Sequence, residues 1–228
     1  MKTIQQITGI EFKDESLLNH AFVHRSYLNE HKDDTMISSN EKLEFLGDSV
    51  LSLATSIYLY KFYPLLDEGT YTDIKASVVR TETLAEVAKS LHFGEFILLS
   101  KGEELNGGRD NKNILADCLE SFIASLFLDQ GFDKAFSFVV QNIFEGRLSH
   151  IVENKLYLSP KSRLQELIQA SHKTLPQYIL ESESGPEHKK TFEVSVLLEG
   201  KPLGKGVGFS KKEAEENAAK NALEFIRK

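Results

Sequence analysis

The stretch NEKLEFLGDS, Asn40–Ser49, decides how the first two thirds of this chain are interpreted. Glu41, Glu44 and Asp48 stand at positions i, i+3 and i+7, so on a helix they project into one sector about 60 to 80° wide. The residues between and after them are mainly apolar, and we therefore expect part of this acidic stripe to lie inside a helical bundle. Because burying unpaired carboxylates is costly, we expect a cation to face them.

A second predicted helix repeats the pattern. In the run ILADCLESFIAS, Ile114–Ser125, only Asp117 and Glu120 are charged, and they are i, i+3 neighbours on one helical face. Hard divalent cations take oxygen ligands, and a set of Glu and Asp without His or Cys fits Mg²⁺ or Mn²⁺ best. The two acidic stripes together predict a metal site.

The competing interpretation of these carboxylates is structural. Glu41 would complete a capping box that starts at Ser38, Glu44 would pair with a nearby lysine, and the acids of the second helix would form surface ion pairs. For any one of these residues alone that interpretation is the better one. For the whole set at helical spacing within apolar helices, we favour the metal.

Composition places these helices in a folded chain of 228 residues with a net charge of −7. A single cysteine, Cys118, excludes a disulfide framework and a zinc site of cysteines, and no apolar run is long enough to span a bilayer. We therefore expect a cytoplasmic protein with no membrane partner. The part from Ser159 onward carries 12 basic and 10 acidic residues, which leaves 15 and 24 for the rest. Two parts of opposite charge indicate two different roles.

Hydrophobic periodicity gives the same division. Apolar residues recur at spacings of three and four up to about residue 150, and alternate only after Ser159. We predict a mainly α chain with a helical domain at 1–150, a linker at 151–158 and an α-β-β-β-α domain at 159–228. The helices predicted in the first domain are Ser16–Leu28, Glu41–Phe62, Thr70–Ser90, Ile114–Gln130 and Asp133–Ile151.

Two further motifs have structural interpretations. The pair His20 and His24 has the i, i+4 spacing of a zinc site but no obvious third ligand, so we treat it as structural. The glycines of Gly204–Gly208 resemble a phosphate loop only superficially, since they lie in a strand context. We expect them to allow close backbone packing.

The acidic stripes belong to a wider set of motifs that resembles ribonuclease III, in its short bacterial form. Besides NEKLEFLGDS, the matching segments occur in the family's order and are His24–Tyr27, Asp67–Gly69, Leu84–Ala85, Gly107–Arg109 and Ile114–Glu120. The resemblance implies a homodimeric endonuclease that cuts both strands of double-stranded RNA and leaves 5′-phosphate and 3′-hydroxyl ends. It also implies processing of ribosomal-RNA precursors and other structured transcripts.

The resemblance assigns roles to single residues. Four carboxylates, Glu44, Asp48, Asp117 and Glu120, would hold the Mg²⁺, which Mn²⁺ can replace, and of these Asp48 and Glu120 would be catalytic. Glu41 and Glu68 match acidic positions of the same cleft with less direct roles, and Phe45 matches an aromatic residue that inserts into the partner subunit. The alternative function is a non-catalytic protein that binds double-stranded RNA.

The α-β-β-β-α tail resembles the double-stranded-RNA-binding domain, which recognises the shape of a duplex across successive minor grooves. The implied RNA contacts are Gln165 and Glu166 on the first helix, Pro186 and His188 in a loop, and Lys211 and Lys212 at the start of the last helix. A third lysine often follows in such domains, but Glu215 stands here, so phosphate binding is expected to be weaker.

Overall fold

The computed structural model describes residues 3–31, 38–186 and 189–226. Backbone contacts divide the chain into two compact units, one ending at Glu153 and one beginning at Asn154. This boundary lies inside the segment 151–158, whose limits as a linker stay a prediction. Within the described ranges, no helix is long and apolar enough to cross a membrane.

The first unit is helical. Short 3₁₀ turns lie at Phe93–Glu95 and Gly108–Asp110, and a π-helical turn follows at Val140–Phe144. Its α-helices are α1 (Ile4–Thr8), α2 (Glu15–Ala21), α3 (Arg25–Leu28), α4 (Glu41–Phe62), α5 (Glu68–Val78), α6 (Thr81–Ser90), α7 (Lys101–Leu105), α8 (Lys112–Gln130), α9 (Phe132–Val139) and α10 (Arg147–Glu153).

Three of the predicted helices are interrupted. The prediction of one helix over Ser16–Leu28 is wrong, because Val23 forms a parallel bridge with Leu98, and the chain leaves helical geometry between α2 and α3. The predicted Thr70–Ser90 helix breaks between α5 and α6, and the last predicted helix is broken by the π turn and Gly146. By contrast, α4 has the predicted bounds, Glu41–Phe62.

Helix α8 forms the centre of this unit. Its side chains are buried on nearly every side, as expected for a helix that is apolar all round. Phe122 lies at the middle, with the rings of Phe12, Phe22, Phe93 and Phe138 packed around it at centroid distances of 5.6, 6.4, 5.1 and 5.0 Å. This aromatic cluster fixes the helix that carries Asp117 and Glu120.

Gly47 allows α4 to cross α8 at very short distance. A Cβ atom at this position would lie 1.9 Å from the carbonyl oxygen of Glu120, so no larger residue fits without moving one of the helices. The point of closest approach is therefore Gly47 on α4, about one turn after Glu44, and Glu120 itself on α8. It brings the two acidic stripes to the same place.

The second unit has the order predicted from the sequence, which confirms the expected fold class. Its strands form one antiparallel sheet in the order β1-β2-β3. A tight turn joins β2 to β3 at Glu199 and Gly200, which both have positive φ, 50° and 79°. The elements are α11 (Pro160–His172), β1 (Gln177–Ser184), β2 (Thr191–Leu198), β3 (Lys201–Gly208) and α12 (Lys211–Ile226).

The glycines of β3 pack against α12, as we expected. A Cβ at Gly206 would lie 2.1 Å from the backbone nitrogen of Ala218, and Gly204 and Gly208 meet the same helix at 2.7 and 2.6 Å. The facing residues of α12 are buried alanines, among them Ala214 and Ala218. Small residues on both sides allow strand and helix backbones to touch.

Candidate active site

Three of the predicted metal ligands come together where α4 crosses α8. One carboxylate oxygen each from Glu44, Asp117 and Glu120 lies within 4.8 Å of the other two. The three side chains are half-buried, so they keep access to water. Asp48, one turn after Glu44, is exposed and outside this close triplet, but its charge is the first among the neighbouring charges that raise the pKa of Glu120.

The electrostatics of the cluster show an excess of negative charge. Burial, followed by the charges of Asp48, Asp117 and Glu44, raises the pKa of Glu120 from its ordinary value of 4.5 to about 8. Burial and then the Asp117 and Glu41 charges raise the pKa of Glu44, and burial raises that of Asp117. Like charges held at this distance favour protonation, and a divalent cation would relieve the repulsion in the same way.

The donor set fits a hard divalent cation. All three close ligands offer carboxylate oxygens, their separation allows one ion to touch each of them, and the set contains no sulfur or imidazole. Such a site suits Mg²⁺ or Mn²⁺ and leaves coordination positions for water and phosphate oxygens.

The structural interpretation of these acids is not supported. The capping box that would start at Ser38 is wrong, because α4 begins at Glu41 and its N-cap residue is Asn40. The Asn40 side chain makes no cap hydrogen bond and instead donates to the carbonyl oxygen of Ala21, at 3.1 Å. Glu41 accepts a hydrogen bond from the Ser39 hydroxyl at 2.7 Å. Across the described parts of the chain, no ion pair reaches Glu44, Asp117 or Glu120.

An open cleft of about 730 Å³ lies beside the carboxylate cluster and is lined by two of its three members, Glu44 and Asp117. Its described lining includes Glu41, Glu44 and Asp117, and the first residues of α3 and α8 form part of its wall. Glu103, on α7, also lines this cleft, although none of the motifs singled out from the sequence includes it. The sequence does contain a pattern typical of a helix start, Ser-x-x-Glu at Ser100–Glu103. In the structure, the Ser100 hydroxyl caps α7 by accepting a hydrogen bond from the Glu103 amide at 3.2 Å.

The two histidines have structural contacts, as we expected, although His24 also borders the cleft. The Nδ1 atom of His24 accepts from the Ser26 amide at 3.3 Å and so caps α3. His20 Nε2 lies 2.9 Å from the carbonyl oxygen of Ser39 and joins α2 to the segment before α4.

Two predicted residues of the first unit lie away from the cluster. Glu68 is the exposed first residue of α5 and is not among the described residues that line the cleft. Phe45 is 79% exposed on the outer side of α4. A large aromatic side chain in this position is available to a partner.

The predicted RNA contacts of the second unit are on its surface. Gln165 and Glu166 are exposed on α11, and Glu166 pairs with Lys155. Lys211 and Lys212 are the exposed first two residues of α12, which Ser210 caps through the Glu213 amide at 3.1 Å.

The remaining predicted positions of this unit lie around the β1–β2 connection and on α12. Pro186 is exposed after Gly185, which has a φ of +93°, and His188 lies outside the described residues. Glu215 pairs with Lys161, so its charge is partly neutralised by α11.

Known proteins resemble both units. Residues 14–146 match the family model described as Ribonuclease-III-like, and residues 160–226 match the double-stranded RNA binding motif. A protein called Ribonuclease 3 from Geobacillus thermodenitrificans is 46% identical over 98% of this chain and 90% of its own length. Its counterpart from Treponema denticola is 44% identical over 97% and 89%.

A solved structure is similar to the first unit. It is the nuclease domain of ribonuclease III from Campylobacter jejuni, described as showing structural flexibility in the region involved in dimer formation. It has 37% sequence identity, covers 63% of this chain and 96% of that one, and superposes with a TM-score of 0.58.

Proposed function

The chain belongs to the ribonuclease III family, and from this premise we infer that it is an endoribonuclease that cuts double-stranded RNA. The observation that carries the inference is the convergence of Glu44, Asp117 and Glu120 beside an open cleft, in a chain that also holds a duplex-binding motif. Each unit thus has one task.

Within this function, we propose that Glu44, Asp48, Asp117 and Glu120 hold Mg²⁺, with Mn²⁺ as a substitute. When bound, the metal supplies activation of water and electrostatic stabilisation of the phosphate that is cut. The chain's part is positioning: the aromatic cluster around Phe122 holds α8, and the crossing at Gly47 holds α4 against it. No nucleophilic side chain is needed, and the products are 5′-phosphate and 3′-hydroxyl ends.

Asp48 and Glu120 are the acids we propose to be catalytic, and Glu41 and Glu68 have secondary roles. Burial and three neighbouring carboxylates act on Glu120 more strongly than on the other acids of the cluster, as its pKa of about 8 indicates. A divalent cation bound at this position would therefore offset the repulsion that the Glu120 carboxylate experiences from its neighbours.

We further propose that the second unit brings the RNA. Lys211 and Lys212 stand at a helix start, where their own charges oppose the helix dipole unless an anion is present, and a phosphate provides that anion. Gln165, Glu166, Pro186 and His188 complete the contact with the minor grooves. For Glu166, binding requires it to leave or share its Lys155 partner.

A second copy of the chain is the other proposed partner. Phe45 is the large apolar residue most exposed at the start of α4, and an aromatic ring exposed to this degree gains about 2 kcal/mol on burial in a partner. A homodimer places two clefts on one duplex and so allows both strands to be cut.

One assay tests the function. Long duplex RNA is incubated with the protein in Mg²⁺ and in EDTA, with single-stranded RNA as a matched substrate. We expect short duplex fragments only with duplex RNA and Mg²⁺, and fragments whose 5′ ends accept ligation without added phosphate. Binding without cleavage in Mg²⁺ would instead favour the alternative, a non-catalytic protein that binds double-stranded RNA.

A further inference from the structure

Arg25 is a cation that lies among the acids of the cleft. It is the first residue of α3, and among the described residues that line the cleft it is the only lysine or arginine. Glu41, Glu44, Glu103 and Asp117 line the same space. A polyanion that enters this cleft therefore meets an excess of carboxylates and one guanidinium group.

The backbone under Arg25 is firmly held. The amide of His24 donates to the carbonyl oxygen of Leu98 at 3.1 Å, and the Ser26 hydroxyl accepts from the amide of Ser100 at 3.0 Å. These bonds fix both neighbours of Arg25 in the chain. The side chain therefore extends into the cleft from a rigid base.

The guanidinium itself is loosely held. Among the described residues its ion-pair partner is Glu41, at 3.8 Å between Nη1 and Oε1, and the Arg25 side chain is 75% exposed. An exposed ion pair at this distance contributes little to stability, because water competes for both partners and screens their charges. The second oxygen of Glu41 accepts from the Ser39 hydroxyl at 2.7 Å, so the carboxylate is fixed while the guanidinium can turn away.

A phosphate is the anion that suits such a group. The planar guanidinium donates two parallel hydrogen bonds to phosphate oxygens, which is stronger and more directional than its contact with Glu41. Exchange of one anionic partner for another leaves no buried charge unpaired, because Glu41 keeps its hydrogen bond to Ser39 and its access to water.

We propose that Arg25 binds a backbone phosphate of the RNA strand that is cut, and exchanges Glu41 for it when substrate enters the cleft. This inference rests on the proposed nuclease function. It makes Arg25 a substrate-binding residue of the first unit, separate from the lysines of the second unit, and gives Glu41 the role of its partner in the free protein.

The test compares Arg25→Gln with a matched control. Lys89→Gln removes a cation of similar exposure, 71%, which pairs with Asp110 at 3.2 Å on another part of the same unit. Duplex binding is measured over a range of salt in the Glu120→Gln background with Mg²⁺, and cleavage kinetics are measured in the single variants. Arg25→Lys is the conservative variant.

We expect Arg25→Gln to make the negative slope of log K against log salt shallower by about one, the value for one lost phosphate contact. We expect the KM of Arg25→Gln to rise about tenfold, with a smaller change in kcat. The KM of Arg25→Lys should lie between those of Arg25→Gln and the wild type, and Lys89→Gln should match the wild-type slope and KM. Circular dichroism checks that each variant is folded. If Arg25→Gln does not fold, Arg25→Lys takes its place as the test variant, and its KM should then exceed that of the wild type.

A salt slope and KM unchanged in folded Arg25→Gln, or unchanged KM in Arg25→Lys where that variant carries the test, would overturn the inference. The outcome is distinct from failure of the proposed function, in which wild type and Lys89→Gln would themselves not cut duplex RNA.

Discussion

Replacing Glu120 by glutamine tests the electrostatics of the site in the protein without metal. The pKa of Glu120 is raised in the folded chain, to about 8 from 4.5, so the folded state holds a proton that the unfolded state releases. Stability is then unaffected at pH values below 4.5, falls as the pH rises from 4.5 to 8, and levels off above 8. Glutamine has nearly the same shape as glutamate and no charge, so Glu120→Gln should not lose this stability as the pH rises.

The structure sets the size of the effect. At about 1.4 kcal/mol per pKa unit, the full shift of Glu120 corresponds to about 5 kcal/mol. The side chain keeps part of its surface in water, and screening there reduces the value to about 2 kcal/mol. For a chain of this size, that raises the melting temperature of Glu120→Gln over wild type by about 4 to 8 °C at pH 8.5.

Thermal unfolding of the full chain in EDTA, followed by calorimetry between pH 5 and pH 9, measures this difference. Glu82→Gln, at an exposed position in the first turn of α6, is the matched control and should follow the wild type. Addition of Mg²⁺ should stabilise the wild type above pH 8 and stabilise Glu120→Gln less. A variant that unfolds with the wild-type pH profile in EDTA would refute the reasoning.

Three other substitutions test separate parts of the account. Gly47→Ala places a methyl group against the Glu120 carbonyl, and should cost about 1 to 3 kcal/mol in chemical denaturation and weaken Mg²⁺ binding; wild-type values for both would contradict the helix crossing. Phe45→Glu should convert a dimer to a monomer in sedimentation, and a dimer that persists would exclude this contact. Glu215→Gln frees Lys161 and removes a negative charge near the phosphate-binding helix start, so duplex affinity at low salt should rise by about two- to fivefold, whereas unchanged affinity in filter binding would show that the charge lies outside the RNA contact.

The sequence predicted the elements whose stability is local. Helix α4 has its predicted bounds, and the α-β-β-β-α order of the second unit follows from alternation, turn residues and caps. The close packing at Gly204–Gly208 was also predictable, since a glycine at every second strand position leaves one face bare.

Features that depend on distant contacts were not predictable from the sequence. The break after α2 arises from the bridge between Val23 and Leu98, two residues 75 positions apart, and the periodicity of the segment continues through it. Gly47 appears in the sequence only as a glycine in a helix, and its role becomes visible once the Glu120 carbonyl is placed against it. The position of Glu103 on the cleft has the same cause, because Ser26 and Ser100 join its helix to α3.

Anomalous scattering from a crystal of the full chain grown with Mn²⁺ tests the central claim most directly. We predict a peak in contact with the carboxylate oxygens of Glu44, Asp117 and Glu120, and loss of that peak in Glu120→Gln. A Mn²⁺ peak bound elsewhere on the chain, with these three carboxylates free of metal, would contradict the account.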